Sequence, residues 1–313
     1  MLEELQTLRH GKDCNMLIKE SPRRISKDEN GWKVNNSGLD LIQKCPRKAF
    51  YVLTRPESET KSIALDYGSA IHSSLGLFYE TIDRPDSLLV QMIDVFNAHA
   101  SDLMKNVQDG EVHSLTHGAS ILKVFFDAYK GDPWKVYVDE KGPFVERQFE
   151  VQLGENLHFY GTIDLMLQHS ETGELCVTDH KTTRSLGQQF AQKGDVNHQL
   201  TGYVFACQKM GINVNKAMFQ GIKTGVKTLK SMEVMRTFVP RSEENFTEWK
   251  KWVYHVTTMW ELMIKTNNFP MNGSSECNQY SGCQYLSVCA APFQFREEIL
   301  NGINKKTQEI EEV

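Results

Sequence analysis

Near its middle the chain reads Gly161-Thr162-Ile163-Asp164, runs through fourteen further residues, and then reads Asp179-His180-Lys181, with strand-forming residues around both segments. Alternate side chains of an extended strand share a face, so Val177, Asp179 and Lys181 point one way while Thr178 and His180 point the other. If the strand carrying Asp164 lies beside the strand carrying Asp179, the two carboxylates can share one divalent cation, because hard oxygen ligands are what Mg²⁺ selects. Lys181 then stands next to the second carboxylate, where it can orient a water or stabilise charge developing on a phosphate. The pattern requires paired strands and predicts metal-dependent cleavage of a phosphodiester. An isolated Asp-x-Lys is a common tripeptide; its weight here comes from the Gly-x-x-Asp strand before it and the helix after it.

Apolar residues recur at helical spacing from residue 69, as in Ile71, Leu75, Phe78 and Tyr79 and again in Ile121, Leu122, Phe125 and Phe126, which predicts a helical block over 69–135. Val145, Phe149, Val151 and Leu153 alternate, Gly154-Glu155-Asn156 supplies a turn, and alternation resumes from Leu157 to Leu167, so a β-hairpin is expected. A third strand at 175–179, a helix over 197–210, strands near 216–223 and 231–239 and a helix from Ser242 to Lys265 complete an α/β pattern. The 313 residues, 40% of them apolar, suffice for one large domain. We place it at 39–292, with the catalytic sheet and helix at 144–240. Residues 1–38 are polar, with turn material in Ser21-Pro22-Arg23-Arg24 and Asn35-Asn36-Ser37-Gly38, so a loosely ordered arm is expected there, and a charged tail at 293–313.

Gln199 and Tyr203 lie four residues apart on one face of the predicted helix and can reach back to the lysine. His72 follows Gly68-Ser69-Ala70-Ile71, whose small side chains allow close approach to the sheet. A lone histidine is more often structural than a ligand, yet an imidazole there would suit Mn²⁺ as well as Mg²⁺. Glu146, opening the first hairpin strand, is a further candidate for the same pocket, and Glu150 on the same face is a surface carboxylate. Lys216, Lys223, Lys227, Lys230, Arg236 and Arg241 cluster after the helix, and Arg184 and Lys193 are close to the site in sequence. Such a stripe can track a nucleic-acid backbone, or equally guard a solvated edge strand. The net charge of -5 argues against a generally basic coat and leaves a local basic groove open. Trp249, Trp252 and Trp260 fit a helix packed on the core.

Cys277, Cys283 and Cys289 are spaced C-x5-C-x5-C, and Cys45 stands far upstream in Cys45-Pro46-Arg47. Such a four-ligand set would accept an iron-sulfur cluster or Zn²⁺; the wide spacing favours iron, and free cysteines are a third reading. A metal held there would staple N- and C-terminal segments across a very long loop, a structural rather than a redox role. Cys176 and Cys207 read as core thiols, and Cys14 has no partner pattern. No run approaches the roughly 18 apolar residues a membrane span requires. Glu3, Glu4, Arg9 and Lys12 interrupt any signal-peptide stretch, so a cytoplasmic protein with reduced thiols is expected.

The ordered set Cys45-Pro46-Arg47, Gly68-Ser69-Ala70-Ile71-His72, Glu146, Gly161-Thr162-Ile163-Asp164, Asp179-His180-Lys181, Gln199-x3-Tyr203 and a C-terminal cysteine triplet resembles the RecB-like branch of the PD-(D/E)xK nuclease superfamily. It is most similar to the iron-sulfur type, that of the AddB nuclease domain and of the nuclease associated with CRISPR adaptation. The resemblance runs from about Leu39 to Cys289 and implies a restriction-endonuclease-like core: a central mixed β-sheet flanked by helices, a helical insertion, and a cysteine-ligated metal staple. It further implies a DNA nuclease using Mg²⁺ or Mn²⁺, often an exonuclease on single strands or DNA ends, in recombination and repair or in mobile-element or phage DNA processing. His72, Asp164, Asp179 and the His180 backbone carbonyl would hold the metal, Lys181 would be catalytic, and Gln199 and Tyr203 would support it. Cys45, Cys277, Cys283 and Cys289 would carry a 4Fe-4S cluster, and Arg184, Lys193, Lys223 and Lys227 are candidate DNA contacts. No Gly-x4-Gly-Lys-Ser/Thr occurs, so unwinding would fall to a helicase or recombination partner. Two other readings stay open: a structure-specific or restriction-type endonuclease, and a DNA-binding or assembly module that keeps the fold without turnover. The intact Asp164, Asp179 and Lys181 speak against the second.

Overall fold

Leu175–Thr183 forms a strand whose residues from Cys176 to His180 are all buried, the near-continuous pattern of a central strand covered on both faces. The computed structural model describes residues 24–54, 62–273, 275–278 and 282–311. In chain order the elements are β1 (Ile25–Asp28), β2 (Gly31–Val34), α1 (Asn36–Lys44), α2 (Pro46–Thr54), α3 (Ile63–Glu80), α4 (Leu88–His99), α5 (Asp102–Lys105) and α6 (Leu115–Tyr129). There follow β3 (Trp134–Val136), β4 (Val138–Asp139), β5 (Gly142–Pro143), β6 (Val145–Gly154), β7 (Leu157–His169), β8 (Leu175–Thr183), α7 (Gln188–Asp195) and α8 (His198–Lys209). The chain continues with β9 (Lys216–Lys223), β10 (Val234–Pro240), α9 (Glu243–Thr266), α10 (Leu286–Ala290) and α11 (Arg296–Glu311). It divides into two compact units: Met1–Thr60, Gln152–Tyr160 and Lys250–Val313 make the first, and Lys61–Val151 with Gly161–Trp249 the second.

The second unit is built on a mixed sheet in the order β7-β8-β9-β10, with β3 and β6 also pairing with β7. β7 and β8 run antiparallel, placing Leu165 opposite Thr178. β8 and β9 run parallel, with Asp179 opposite Phe219 and Lys181 opposite Gly221. A parallel pair needs a long crossover, and α7 and α8 supply it. On one face α3, α4 and α6 pack through Ile71, Leu75, Phe78, Phe96 and Phe125 onto Leu165, Leu167, Met218 and Ile222. Ser62 caps α3, its side chain accepting from the Leu65 amide, and Tyr67, Ala70, Ile71, Ser74, Leu75 and Phe78 then recur at helical spacing as the buried stripe. Asn197 caps α8 in the same way, accepting from the Leu200 amide at 2.8 Å.

Within the first unit, β1 and β2 form a hairpin, and β2 pairs in parallel with Leu157–Phe159 of β7. A Cβ on Gly31, whose φ is +112°, would sit 2.1 Å from the Asn156 carbonyl oxygen, so only glycine fits that turn. Here the sequence expectation is corrected: packing begins at Ile25, not near Leu39, and Ile25 and Val34 are 0% exposed. Four-residue strands are too short for alternation to reveal them. Residues 1–23 of the expected arm, Cys14 among them, lie outside the described residues. N- and C-terminal segments of this unit meet: Arg47 Nε donates to the Phe269 carbonyl at 3.0 Å, Asn272 Nδ2 to the Lys44 carbonyl at 2.7 Å, and Leu300 of α11 is buried with Tyr51 and Tyr285.

The second unit also buries an ion pair. Arg236 of β10 binds Asp132 and donates to Tyr79 Oη at 3.2 Å, with side-chain exposures of 10% and 6% for the pair. Removing one partner of such a pair strands a charge. Arg236→Met is expected to lower stability by about 3–5 kcal/mol in chemical denaturation; a loss below about 1 kcal/mol would show that Asp132 is solvated by other means.

Candidate active site

Two glycines let the elements that bear the site close on one another. A Cβ on Gly68 would press to 3.3 Å from Thr182 Oγ1, so α3 approaches β8 closely, and His72, one turn on, reaches the sheet. A Cβ on Gly161 would lie 3.1 Å from the Phe149 ring and 3.7 Å from Tyr203, so β7 admits both aromatic rings.

The residues expected from the sequence converge in the second unit. One ligand atom each from His72, Glu146 and Asp164 lies within 4.8 Å of the others, and His72 Nδ1 is 3.7 Å from Asp164 Oδ2. The His180 amide donates to that same Asp164 oxygen at 3.0 Å. Asp179 is 1% exposed; its Oδ2 is 2.7 Å from Lys181 Nζ, while its buried Oδ1 makes no hydrogen bond among the described residues. Lys181 Nζ donates to Gln199 Oε1 at 3.0 Å, and Gln199 Nε2 donates to Tyr203 Oη at 2.8 Å. The i, i+4 pair on α8 thus reaches the lysine, as the spacing predicts.

The electrostatics are those of crowded acids. Burial, reinforced by Asp164 and opposed by Lys181, pushes Asp179 up to about 6. Burial also raises Asp164, against the His180 amide and Lys181. Desolvation in the pocket wall, then the charges of Asp164 and Asp179, push Glu146 up to about 7. Burial works against the Lys181 ammonium, yet Asp179 holds its pKa above the usual value. Burial lowers His72, keeping its imidazole available as a neutral ligand. Three acids, an imidazole and an orphaned buried carboxylate oxygen fit a hard divalent cation such as Mg²⁺ or Mn²⁺.

Behind the acids lies a network that sequence reading missed. His180 is buried, and its ring stacks 5.8 Å from Tyr79 and lies 5.6 Å from His72. The Gln220 amide, in the orientation that satisfies its neighbours, donates to His180 Nδ1 at 3.0 Å and accepts from Arg236 at 3.1 Å. Burial, with the charge of Arg236, holds the His180 ring neutral. The available signal was Gln220 itself, one polar side chain inside the apolar run of β9. Glu146 adopts φ +45°, a strained conformation for a non-glycine residue, worth about 1–3 kcal/mol. Nothing in the sequence announces it.

Most residues of the basic stripe have partners in the structure. Arg236 is in the ion pair with Asp132, and Arg241 is buried with its guanidinium on Thr201 Oγ1 and the Gly194 carbonyl. Lys216 pairs with Glu174, Lys223 with Glu233 at 3.5 Å, and Lys227 with Glu111 at 2.6 Å. Arg184 and Lys193 are exposed. The carboxylate partners lie in connecting segments: Glu174 between β7 and β8, Glu233 just before β10, Glu111 before α6 and Asp132 before β3.

Within the first unit the Cys283 amide donates to the Cys277 carbonyl at 2.9 Å, and Cys283 and Cys289 pack against the Tyr51 and Tyr285 cluster. Burial raises the Cys289 thiol; Arg47 and Arg296 favour its thiolate, and Cys283 and Cys45 oppose it. Cys45 and Cys283 therefore lie close enough to Cys289 for their charge to act on it. Cys176 and Cys207 are fully buried core thiols, both pushed up to about 12 by burial.

Over residues 33–290 the chain matches the family model of the PD-(D/E)XK nuclease superfamily. It belongs to that superfamily and is a nuclease, a hydrolase of phosphodiesters whose relatives typically work with Mg²⁺ or Mn²⁺. Among solved structures it is similar to a provisionally named exonuclease from Eubacterium rectale, at 13% identity and a TM-score of 0.46, over 78% of this chain and 85% of that one. No curated protein matches it in sequence. No described helix is long and apolar enough to cross a membrane.

A cation that neutralises these acids stabilises the folded state. Mn²⁺ at about one hundred times its Kd is expected to raise the unfolding free energy by about 2.7 kcal/mol, read by denaturation with and without EDTA. Asp164→Asn should lose most of that gain; an equal gain in the variant would place the bound cation elsewhere.

Proposed function

We propose that the protein is a Mg²⁺- or Mn²⁺-dependent DNA exonuclease of the RecB-like iron-sulfur branch. It acts on single strands or DNA ends, either already open or opened by a helicase or recombination partner. The observation that carries this reading is the chain of contacts from Asp179 to Lys181 to Gln199 to Tyr203, set beside the His72, Glu146 and Asp164 group. His72, Asp164 and Asp179 would hold the cation, with the His180 carbonyl and Glu146 as further donors. When bound, the cation polarises a phosphate oxygen and acidifies a water. Gln199 fixes the Lys181 side chain, and Tyr203 fixes Gln199, so the ammonium is positioned before substrate arrives, where it can orient the attacking water and stabilise charge on the phosphate. Arg184 and Lys193, exposed, are the better candidates for backbone contacts; Lys223 and Lys227 would first have to exchange Glu233 and Glu111 for phosphate.

Lys181→Ala is expected to abolish cleavage, a loss of at least about 100-fold, while Mn²⁺ and DNA binding persist. The assay uses end-labelled linear single-stranded, linear duplex and circular single-stranded DNA with Mg²⁺, Mn²⁺ or EDTA. Sparing of the circle makes the enzyme an exonuclease, and its cleavage makes it an endonuclease. Retained cleavage by the lysine variant would sink the mechanism.

The second part of the proposal is that Cys45, Cys277, Cys283 and Cys289 hold a 4Fe-4S cluster, supported by the action of Cys45 and Cys283 on Cys289, the backbone hydrogen bond from Cys283 to Cys277, and the shared packing of Cys283 and Cys289. Zn²⁺ is the alternative occupant. Anaerobically prepared protein is expected to be brown and to contain iron. Cys283→Ala should lose the colour and unfold more readily, by about 2–5 kcal/mol if a cluster staple resembles a native disulfide in effect. A colourless, zinc-bearing preparation would assign the site to zinc.

A further inference from the structure

Beside His72 and Glu146 lies a cavity of about 650 Å³, within the size range of small-ligand pockets. One face of α3 lines it with Ser69, Ser73 and Gly76, and Leu77, Val95 and Val145 add apolar surface. A Cβ on Gly76 would meet Val145 Cγ1 at 3.6 Å, an ordinary contact, so this glycine leaves room and relieves no clash.

The chemistry of the lining is one-sided. Ser69 Oγ donates to the Leu65 carbonyl at 3.1 Å and Ser73 Oγ to the Ser69 carbonyl at 3.2 Å. A hydroxyl has one hydrogen, so both present only lone pairs to a ligand. Glu80 and Glu146 add carboxylates. The remaining polar group, His72, has its Nδ1 turned to Asp164. Neither lysine nor arginine lines the cavity among the described residues, so its walls repel a phosphate. Apolar surface interleaved with acceptors suits a flat heterocycle bearing N–H donors, and an exocyclic amine donating to a carboxylate is an established mode of base readout. A base cannot enter such a recess while stacked and paired in a duplex.

Resting on the nuclease reading above, we infer that this cavity is a base-binding subsite: it receives the nucleobase next to the scissile phosphate of a single strand and favours bases with an exocyclic amine. The backbone stays over the metal-binding side chains while the base is held by α3. The site thereby selects single strands by shape and gives cytosine an advantage over uracil, which presents an acceptor at the same position.

The test uses oligodeoxycytidylate, oligodeoxyuridylate and an abasic oligomer of equal length. With Mn²⁺, wild-type kcat/KM is expected to be about tenfold higher on the cytosine oligomer than on the uracil one, the scale of one hydrogen bond to a charged group. Gly76→Leu, which intrudes into the cavity at its α3 wall, and Glu80→Gln, which removes a charge from its lining, should each bring that ratio towards one. Fluorescence anisotropy in Ca²⁺ should show the cytosine preference in Kd, and its loss in both variants. Equal cleavage of all three oligomers by wild type, or a preference that survives Gly76→Leu, overturns the subsite and leaves the nuclease standing. No cleavage of any oligomer, with cytosine-selective binding lost in Gly76→Leu, overturns the nuclease reading and supports the subsite. No cleavage and no selective binding overturns both.

Discussion

The Asp179–Lys181 ion pair on the buried strand β8 is the interaction around which the second unit is arranged. A charge on a strand covered on both faces is costly unless paired and hydrogen-bonded. Lys181 balances Asp179, Gln199 takes a second proton of the ammonium, and the His180 amide meets Asp164. The balance is incomplete. Asp164, Asp179 and Glu146 face one ammonium and an imidazole that burial keeps neutral; burial raises all three acids, and neighbouring carboxylates raise Asp179 and Glu146 further. The surplus has the sign that a divalent cation neutralises, so the fold holds in strain what the reaction uses.

His180 joins this site to the rest of the unit. Its amide positions one carboxylate on the neighbouring strand, while its ring points to the opposite face, among Tyr79, Gln220 and the Arg236–Asp132 pair. The period of two along a strand makes this division of labour unavoidable: Asp179 and Lys181 can face the substrate side only if the residue between them faces the other. A neutral imidazole there needs a donor, and Gln220 provides it from β9, directly opposite in register. Arg236 fixes the other end of that amide and bears a charge that disfavours protonation of the ring. The back of the site is thus held by a buried polar network that specifies one arrangement of β8 against β9 and β10.

What the sequence discloses is what local periodicity controls. The face shared by Asp179 and Lys181, the helical pairing of Gln199 with Tyr203, and the closeness that Gly68 allows His72 all follow from spacing along single elements, and the structure has each. What stays hidden depends on partners brought from elsewhere. Lys216, Lys223, Lys227 and Arg236 look like a stripe in sequence, but Glu174, Glu233, Glu111 and Asp132, all in connecting segments, pair with them. Glu146 was legible as a residue and illegible as a geometry, since its left-handed backbone is imposed by its surroundings rather than by its type. β1 and β2 escaped because four residues carry too little pattern, although Gly31 marks their turn.

The cysteines pose the corresponding problem in the first unit. Helices α1 and α2 come from one end of the chain and α10 and α11 from the other, and the apolar cluster between them is small: Tyr51, Val52, Tyr285, Val288 and Leu300. Closing a loop of more than two hundred residues adds little entropy cost beyond that of a shorter one, because the cost grows only with the logarithm of length. The difficulty is local. Among the described residues, the last segment, from Cys277 to Cys289, offers short helices and turns with Gly282 at φ +100°, and few side chains to bury. The thiolate of Cys289 is favoured by Arg47 from one end and Arg296 from the other, and disfavoured by its sister thiolates. On the proposed reading, a cluster reverses the sign of that last term: it turns mutual repulsion among the sulfurs into shared ligation. Metal binding and docking of the C-terminal segment then become a single folding event.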